Sequence, residues 1–129
     1  INRTFKKRYV ALLDGVLNDH KGTIDLPLRL DINDRPRQLV CFEHGKLAET
    51  TWKVIERNKH QTKVYLYPKT GRTHQLRVHC SHLLGLNTPI IGDDLYGKKE
   101  NRLHLHADFI EFKHPKTKKI ISFTIDAEF

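Results

Sequence analysis

Apolar and polar residues alternate along most of the chain, and the alternation predicts strands. In 7–13, the run Lys-Arg-Tyr-Val-Ala-Leu-Leu sets Tyr9, Ala11 and Leu13 on one face and Val10 and Leu12 on the other. Asp14-Gly15 follows as a turn pair and predicts a hairpin. Residues 22–37 mix short apolar pieces with Pro27, Asp31, Asn33, Asp34 and Pro36, which predicts an ordered loop. Strand patterns return at 38–42, 48–56 and 63–67. Trp52 and Val54 alternate there with Lys53 and Ile55, and Val64 and Leu66 alternate with Tyr65 and Tyr67.

After Pro68 the period changes. Leu76, Cys80, Leu83 and Leu84 fall at i, i+4, i+7 and i+8, an apolar stripe that predicts a helix running to Gly85. Arg72, Gln75, His79 and His82 form a polar line beside it. The run Asn-Thr-Pro-Ile-Ile-Gly-Asp-Asp-Leu-Tyr-Gly then reads as a loop. Strands follow at 103–112 and 119–125, joined by a turn at His114-Pro115. With no repeats or low-complexity tracts, the 129 residues predict one α+β domain, a mainly antiparallel sheet with one prominent helix.

Charge narrows the partners. The chain holds 23 Lys+Arg against 15 Asp+Glu, a formal net charge of +8, which favours a polyanion: RNA, DNA or a membrane surface. No apolar run approaches the roughly 18 residues that span a bilayer, and the first residues lack a signal-peptide core, so a soluble, cytoplasmic protein is expected. Cys41 and Cys80 lack CxxC spacing and are expected as reduced, mostly buried thiols. The nine histidines raise the question of a metal, since His104 and His106 share a strand face and His79 and His82 a helical edge. No His-Glu-x-x-His pattern or cysteine pair supports one, and packing and polar contacts are expected instead.

The run Lys-Thr-Gly-Arg-Thr-His-Gln-Leu-Arg-Val-His holds the most pointed chemistry. Arg72 directly follows the turn glycine Gly71 near the positive end of the predicted helix, where anions are favoured, so something negative is expected opposite it. Other basic residues gather in sequence around such a site: Lys6, Lys7 and Arg8, Arg35 and Arg37, Lys69 and Arg77. Together they predict a phosphate-tracking surface. The basic run 116–119 lies in a turn, where it serves solvation.

Several ordered motifs carry a family resemblance. They are Lys7-Arg8-Tyr9 with Ala11-Leu12, Gly45-Lys46 with Ala48 and Thr50, and Thr70-Gly-Arg-Thr-His-Gln-Leu-Arg-Val-His79. Pro89-Ile-Ile-Gly-Asp93, Leu95-Tyr-Gly97, Arg102-Leu-His-Leu-His-Ala107 and Phe112-Lys-His-Pro115 complete the series. In these the chain resembles the RluA-type RNA pseudouridine synthases over nearly its whole length. The resemblance implies an isomerase that breaks the C1′–N1 bond of uridine in RNA, turns the uracil and rejoins it through C5, with no cofactor or metal. Ribosomal or transfer RNA is the implied partner. By motif position Tyr9 is the tyrosine beside the flipped base and Arg72 the basic partner of the catalytic aspartate. Leu76 is the apolar residue near the base, and Lys7, Arg8, Gln75 and Arg77 are the implied substrate contacts.

One element departs from the family pattern. The family's aspartate sits in a His-Arg-Leu-Asp motif that precedes the Lys-x-Tyr strand, whereas here that strand nearly opens the chain. Arg29-Leu30-Asp31 looks similar but follows the tyrosine strand and runs into Ile32-Asn33-Asp34-Arg35-Pro36. Asp31 is therefore read as a decoy that caps a local turn. The chain lacks methionine and starts at Ile1, so residues 1–129 are expected to be the C-terminal portion of a catalytic domain, inactive alone, with its aspartate before Ile1. A non-catalytic RNA-binding module on the same scaffold is the alternative.

Overall fold

A computed structural model describes residues 6–129. Along the chain run β1 (Lys6–Leu13), β2 (Lys21–Asp25), β3 (Leu28–Leu30), β4 (Gln38–Val40), β5 (Glu49–Arg57), β6 (Thr62–Pro68), α1 (Gln75–Ser81), β7 (Leu105–Lys113) and β8 (Ile120–Thr124). Six strands form one antiparallel sheet in the order β2-β5-β6-β1-β7-β8, and β3 and β4 form a separate ribbon.

Register explains the core. Tyr9 faces Leu66, Ala11 faces Val64 and Leu13 faces Thr62, while Trp52 of β5 lies on the far side of Leu66. Cross-strand partners share a face, so one side of the sheet presents a continuous apolar surface. Leu76 and Cys80 of α1 cover it, with Leu17, Leu26 and Ile90 from connecting segments. Leu13 and Leu66 are fully buried, and each contributes roughly 1.5–3 kcal/mol by burial.

The predicted strands at 7–13, 38–42, 48–56, 63–67, 103–112 and 119–125 all form, with small shifts at their ends. Three expectations about elements need correction. Asp14-Gly15 does not close a hairpin, because β1 lies between β6 and β7 rather than beside β2. The segment expected as a loop at 22–37 contains most of β2 and all of β3. The helix ends at Ser81, with His82 extended at φ −65°, ψ 143°.

Leu83 and Leu84 are consequently 73% and 61% exposed. The chain turns back so sharply that a Cβ on Gly85 would lie 2.1 Å from the His79 carbonyl oxygen, and Leu86 packs against the core in their place. Gln75 and His79 are buried rather than set along a polar line. The Cys80 thiol is buried and burial pushes its pKa up, whereas Cys41 is only partly buried at the end of the β3–β4 ribbon.

Candidate active site

A cavity of about 630 Å³ opens where β1, the end of β6 and the start of α1 meet. Strand alternation brings Lys7 and Tyr9 to it from one face of β1, and the following loop adds Thr70, Gly71 and Arg72. His74, Gln75, Leu76 and Arg77 close it from the helix side. Leu76 is only 7% exposed and belongs both to the core and to the cavity wall. No hydrogen bond among the described residues engages the Tyr9 hydroxyl.

Gln75 holds the Arg72 loop in shape. Its Oε1 accepts from the Thr70 hydroxyl at 2.7 Å and from the Arg72 amide at 3.1 Å. Its Nε2 donates to the Glu49 carbonyl at 2.9 Å and to Thr50 Oγ1 at 3.0 Å. The Glu49 amide donates in turn to Thr70 Oγ1 at 2.9 Å. Arg72 Nε donates to the Leu47 carbonyl at 2.8 Å. No carboxylate of the described residues pairs with Arg72, so the expected negative group opposite it is not supplied by residues 6–129; a carbonyl takes that hydrogen bond.

His74 is the site residue that sequence reasoning missed. It caps α1 in the left-handed region at φ 54°, ψ 17°, a conformation that non-glycine residues adopt rarely and mostly under local constraint. The constraint is Tyr96, whose hydroxyl lies 2.8 Å from His74 Nδ1 and accepts from the Gln38 amide at 2.8 Å. The Tyr96 hydroxyl can accept a second hydrogen bond or donate its own proton, so the ring's tautomer sets which partner donates between it and Nδ1. Burial lowers the His74 pKa and neighbouring Arg77 adds to the effect, so the ring is held neutral. The signal was its place inside the Arg-Thr-His-Gln-Leu-Arg motif; its contact with Tyr96 spans the separation from 74 to 96 and has no local signature.

Arg77 anchors the same wall. Its guanidinium makes two hydrogen bonds to Asp93, at 3.1 and 2.7 Å, and one to Asp94 at 3.3 Å. Burial alone would raise the Asp93 pKa, but Arg77 and the amides of Tyr96 and Leu95 outweigh it and hold the carboxylate ionised. Asp93 Oδ1 accepts from both amides at 3.1 Å, so the loop carrying Tyr96 is tied to the helix carrying His74.

The family model described as RNA pseudouridylate synthase matches residues 1–82, which include every residue lining the cavity except Leu105. The chain belongs to the RNA pseudouridylate synthase family. It is 43% identical over 130 aligned residues to the dual-specificity RNA pseudouridine synthase RluA of Pasteurella multocida, and 42% identical to RluA of Escherichia coli. Each alignment takes in 96% of this chain and 58% of the relative, so the chain spans a little over half the length of these relatives. Among solved structures, human RNA Pseudouridylate Synthase Domain Containing 1 superposes with a TM-score of 0.85 at 31% identity, covering 98% of this chain and 56% of that one. Human RNA Pseudouridylate Synthase Domain Containing 4 shares the fold, with a TM-score of 0.72 at 23% identity.

Of the residues that resemblance to the pseudouridine synthases implied, Lys7, Tyr9, Arg72, Gln75, Leu76 and Arg77 converge on the cavity. Arg8 does not. One step along β1, it faces the opposite side of the sheet, where it makes hydrogen bonds of 2.9 and 3.1 Å to Asp108 and lies 4.2 Å from the Tyr65 ring centre. The β1–β7 register skips Asp108 between Arg8 and Tyr9, and such a bulge re-aims the side chains beside it. Asp31 lines neither this cavity nor its neighbour; its Oδ1 accepts from the Asn33 amide at 3.1 Å, as a local turn cap does. Buried His79 uses both ring nitrogens, Nδ1 on Thr50 Oγ1 at 2.9 Å and Nε2 on the Leu26 carbonyl at 3.0 Å. His104 and His106 bond backbone carbonyls.

Proposed function

We propose that the full-length protein isomerises uridine to pseudouridine within ribosomal or transfer RNA, in the cytoplasm, and that the cavity between β1 and α1 receives the flipped uridine. The observation that carries this reading is the convergence of Tyr9, Arg72 and Leu76 on one cavity in a member of the pseudouridylate synthase family. Leu76 and the Tyr9 ring offer the surface that replaces lost stacking, and the Tyr9 hydroxyl is free to handle a proton. Arg72 aligns a carboxylate and keeps it ionised.

That carboxylate is proposed to come from outside residues 6–129. It attacks C1′ as the C1′–N1 bond breaks, or takes a ribose proton that drives the same break; the uracil turns, and C5 bonds to C1′ as the carboxylate ester breaks or the ribose proton returns. The C5 proton then leaves to a base while N1 ends protonated, so the net change is an isomerisation and needs no oxidant or cofactor. The Arg72 guanidinium, bonded here to a carbonyl, also suits the second reading of a non-catalytic RNA-binding module. Release of tritium from RNA bearing 5-tritiated uridine separates the two: the isomerase frees tritium as pseudouridine forms, and a binding module frees none.

A further inference from the structure

Across the loop of Gly71 and Arg72 lies a second cleft, of about 400 Å³, which shares those two residues with the larger cavity. Its floor is β3 and β4. The Leu28 amide donates to the Lys46 carbonyl at 2.9 Å and the Lys46 amide returns a bond to the Leu28 carbonyl at 2.7 Å, which stitches the turn of His44 and Lys46 alongside Arg29. That turn is tight: a Cβ on Gly45 would lie 2.3 Å from the Cys41 carbonyl oxygen.

The lining is one-signed. Arg29, Lys46, Arg72 and His44 face the cleft with Gln38 and Thr73, and no carboxylate lines it. Four arginines elsewhere are matched by carboxylates, Arg8 by Asp108, Arg37 by Asp34, Arg77 by Asp93 and Arg102 by Glu128, while Arg57 donates to two backbone carbonyls. Arg29 and Lys46 have no such ion pair among the described residues. The adjacent Cys41 thiol senses the same field, its pKa lowered by the His44 amide at 3.4 Å and further by the Arg29 guanidinium. Unneutralised cations at a concave site that opens beside the base cavity suit a phosphodiester, whose charge recurs at every nucleotide.

We propose that this cleft binds a backbone phosphate of the nucleotide adjoining the target uridine, with Arg29 and Lys46 as its ligands and Arg72 as the bridge between the two cavities. The proposal rests on the reading of the larger cavity as the uridine site.

The test measures RNA affinity of the full-length protein against salt, using a stem-loop RNA with one loop uridine. Arg29→Gln with Lys46→Gln should make the log–log salt dependence shallower by about one unit for each cation withdrawn from the phosphate. Lys116→Gln with Lys118→Gln removes equal charge from an exposed turn and should change the slope far less. A neutral methylphosphonate on one side of the uridine should weaken binding by the wild type but not by the Arg29, Lys46 double variant. If the double variant fails to fold, Lys46→Gln alone, in an exposed turn, should still show about half the slope change. A double variant indistinguishable from the control pair, or equal methylphosphonate penalties in both proteins, would overturn the proposal. Tritium release by the wild type is read in parallel, so an absent reaction with a shifted slope removes the isomerase reading while the phosphate site stands.

Discussion

Tyr9 and Arg72 reach the cavity by different physical routes, and their variants should separate accordingly. Tyr9 is fixed by strand pairing on both sides, to Leu66 and Ala107, so Tyr9→Phe should preserve the fold and the stacking surface while losing the hydroxyl. Single-turnover conversion should slow by ~10²-fold or more if that hydroxyl carries the proton; a Phe variant as fast as the wild type would reduce Tyr9 to a platform. Asp31 offers the opposite test. Its carboxylate accepts a local amide, and Asp31→Asn retains an acceptor there, so the variant should release tritium at close to the wild-type rate. Loss of release with an unchanged melting curve would make Asp31 the nucleophile. At this scale the motif pointed to Tyr9, Arg72 and Leu76 as cavity residues, whereas His74 was not legible, because its contact is with Tyr96 from a separate segment.

The loop before α1 depends on one buried amide side chain. Gln75 bonds Thr70, Arg72 and Glu49 at once, and Gln75→Leu would leave the Arg72 amide without a partner while the Thr70 hydroxyl and the Glu49 carbonyl each lose one of two. An orphaned buried group costs about 1–3 kcal/mol, so denaturant melts should report a loss of about that size together with a fall in turnover, because Arg72 loses its placement. His79 gives the element a pH dependence. Burial lowers its pKa in the folded chain, while the unfolded imidazole titrates near 6.5. Below about pH 6.5 the unfolded chain binds a proton that the folded one refuses, so stability falls as pH falls. Melting temperature should drop between about pH 7.5 and 5.5, and His79→Gln should flatten that drop. Burial of His74 works in the same direction and leaves a residual slope. Strands of the sheet were legible where apolar residues alternate or cluster, as in β1, β6 and β8. β2 was not, since Ile24 is its one large apolar side chain. The helix was read too long because Leu83 and Leu84 keep its period after the chain has turned away.

Across the whole molecule, the sheet order places the cavity. Placing β1 between β6 and β7 puts Tyr9 on a strand supported from both sides and next to the loop that leaves β6. Neither the β1–β6 nor the β1–β7 pairing is local, so the sequence pattern showed the strands without their order, and the family motifs pointed to residues of which all but Arg8 line the cavity. The net charge of +8 should make RNA affinity fall steeply with salt; a flat response between low and physiological salt would remove the electrostatic account. The central claim is that Arg72 serves uridine isomerisation in this cavity. It is tested most directly by tritium release from 5-tritiated uridine RNA, comparing the full-length wild type with Arg72→Ala at RNA concentrations that saturate both. The account predicts release in step with pseudouridine formation by the wild type and none by Arg72→Ala, with the variant's RNA affinity reduced only modestly. A wild type that binds the RNA without releasing tritium, or an Arg72→Ala variant that releases it at the wild-type rate, would contradict it.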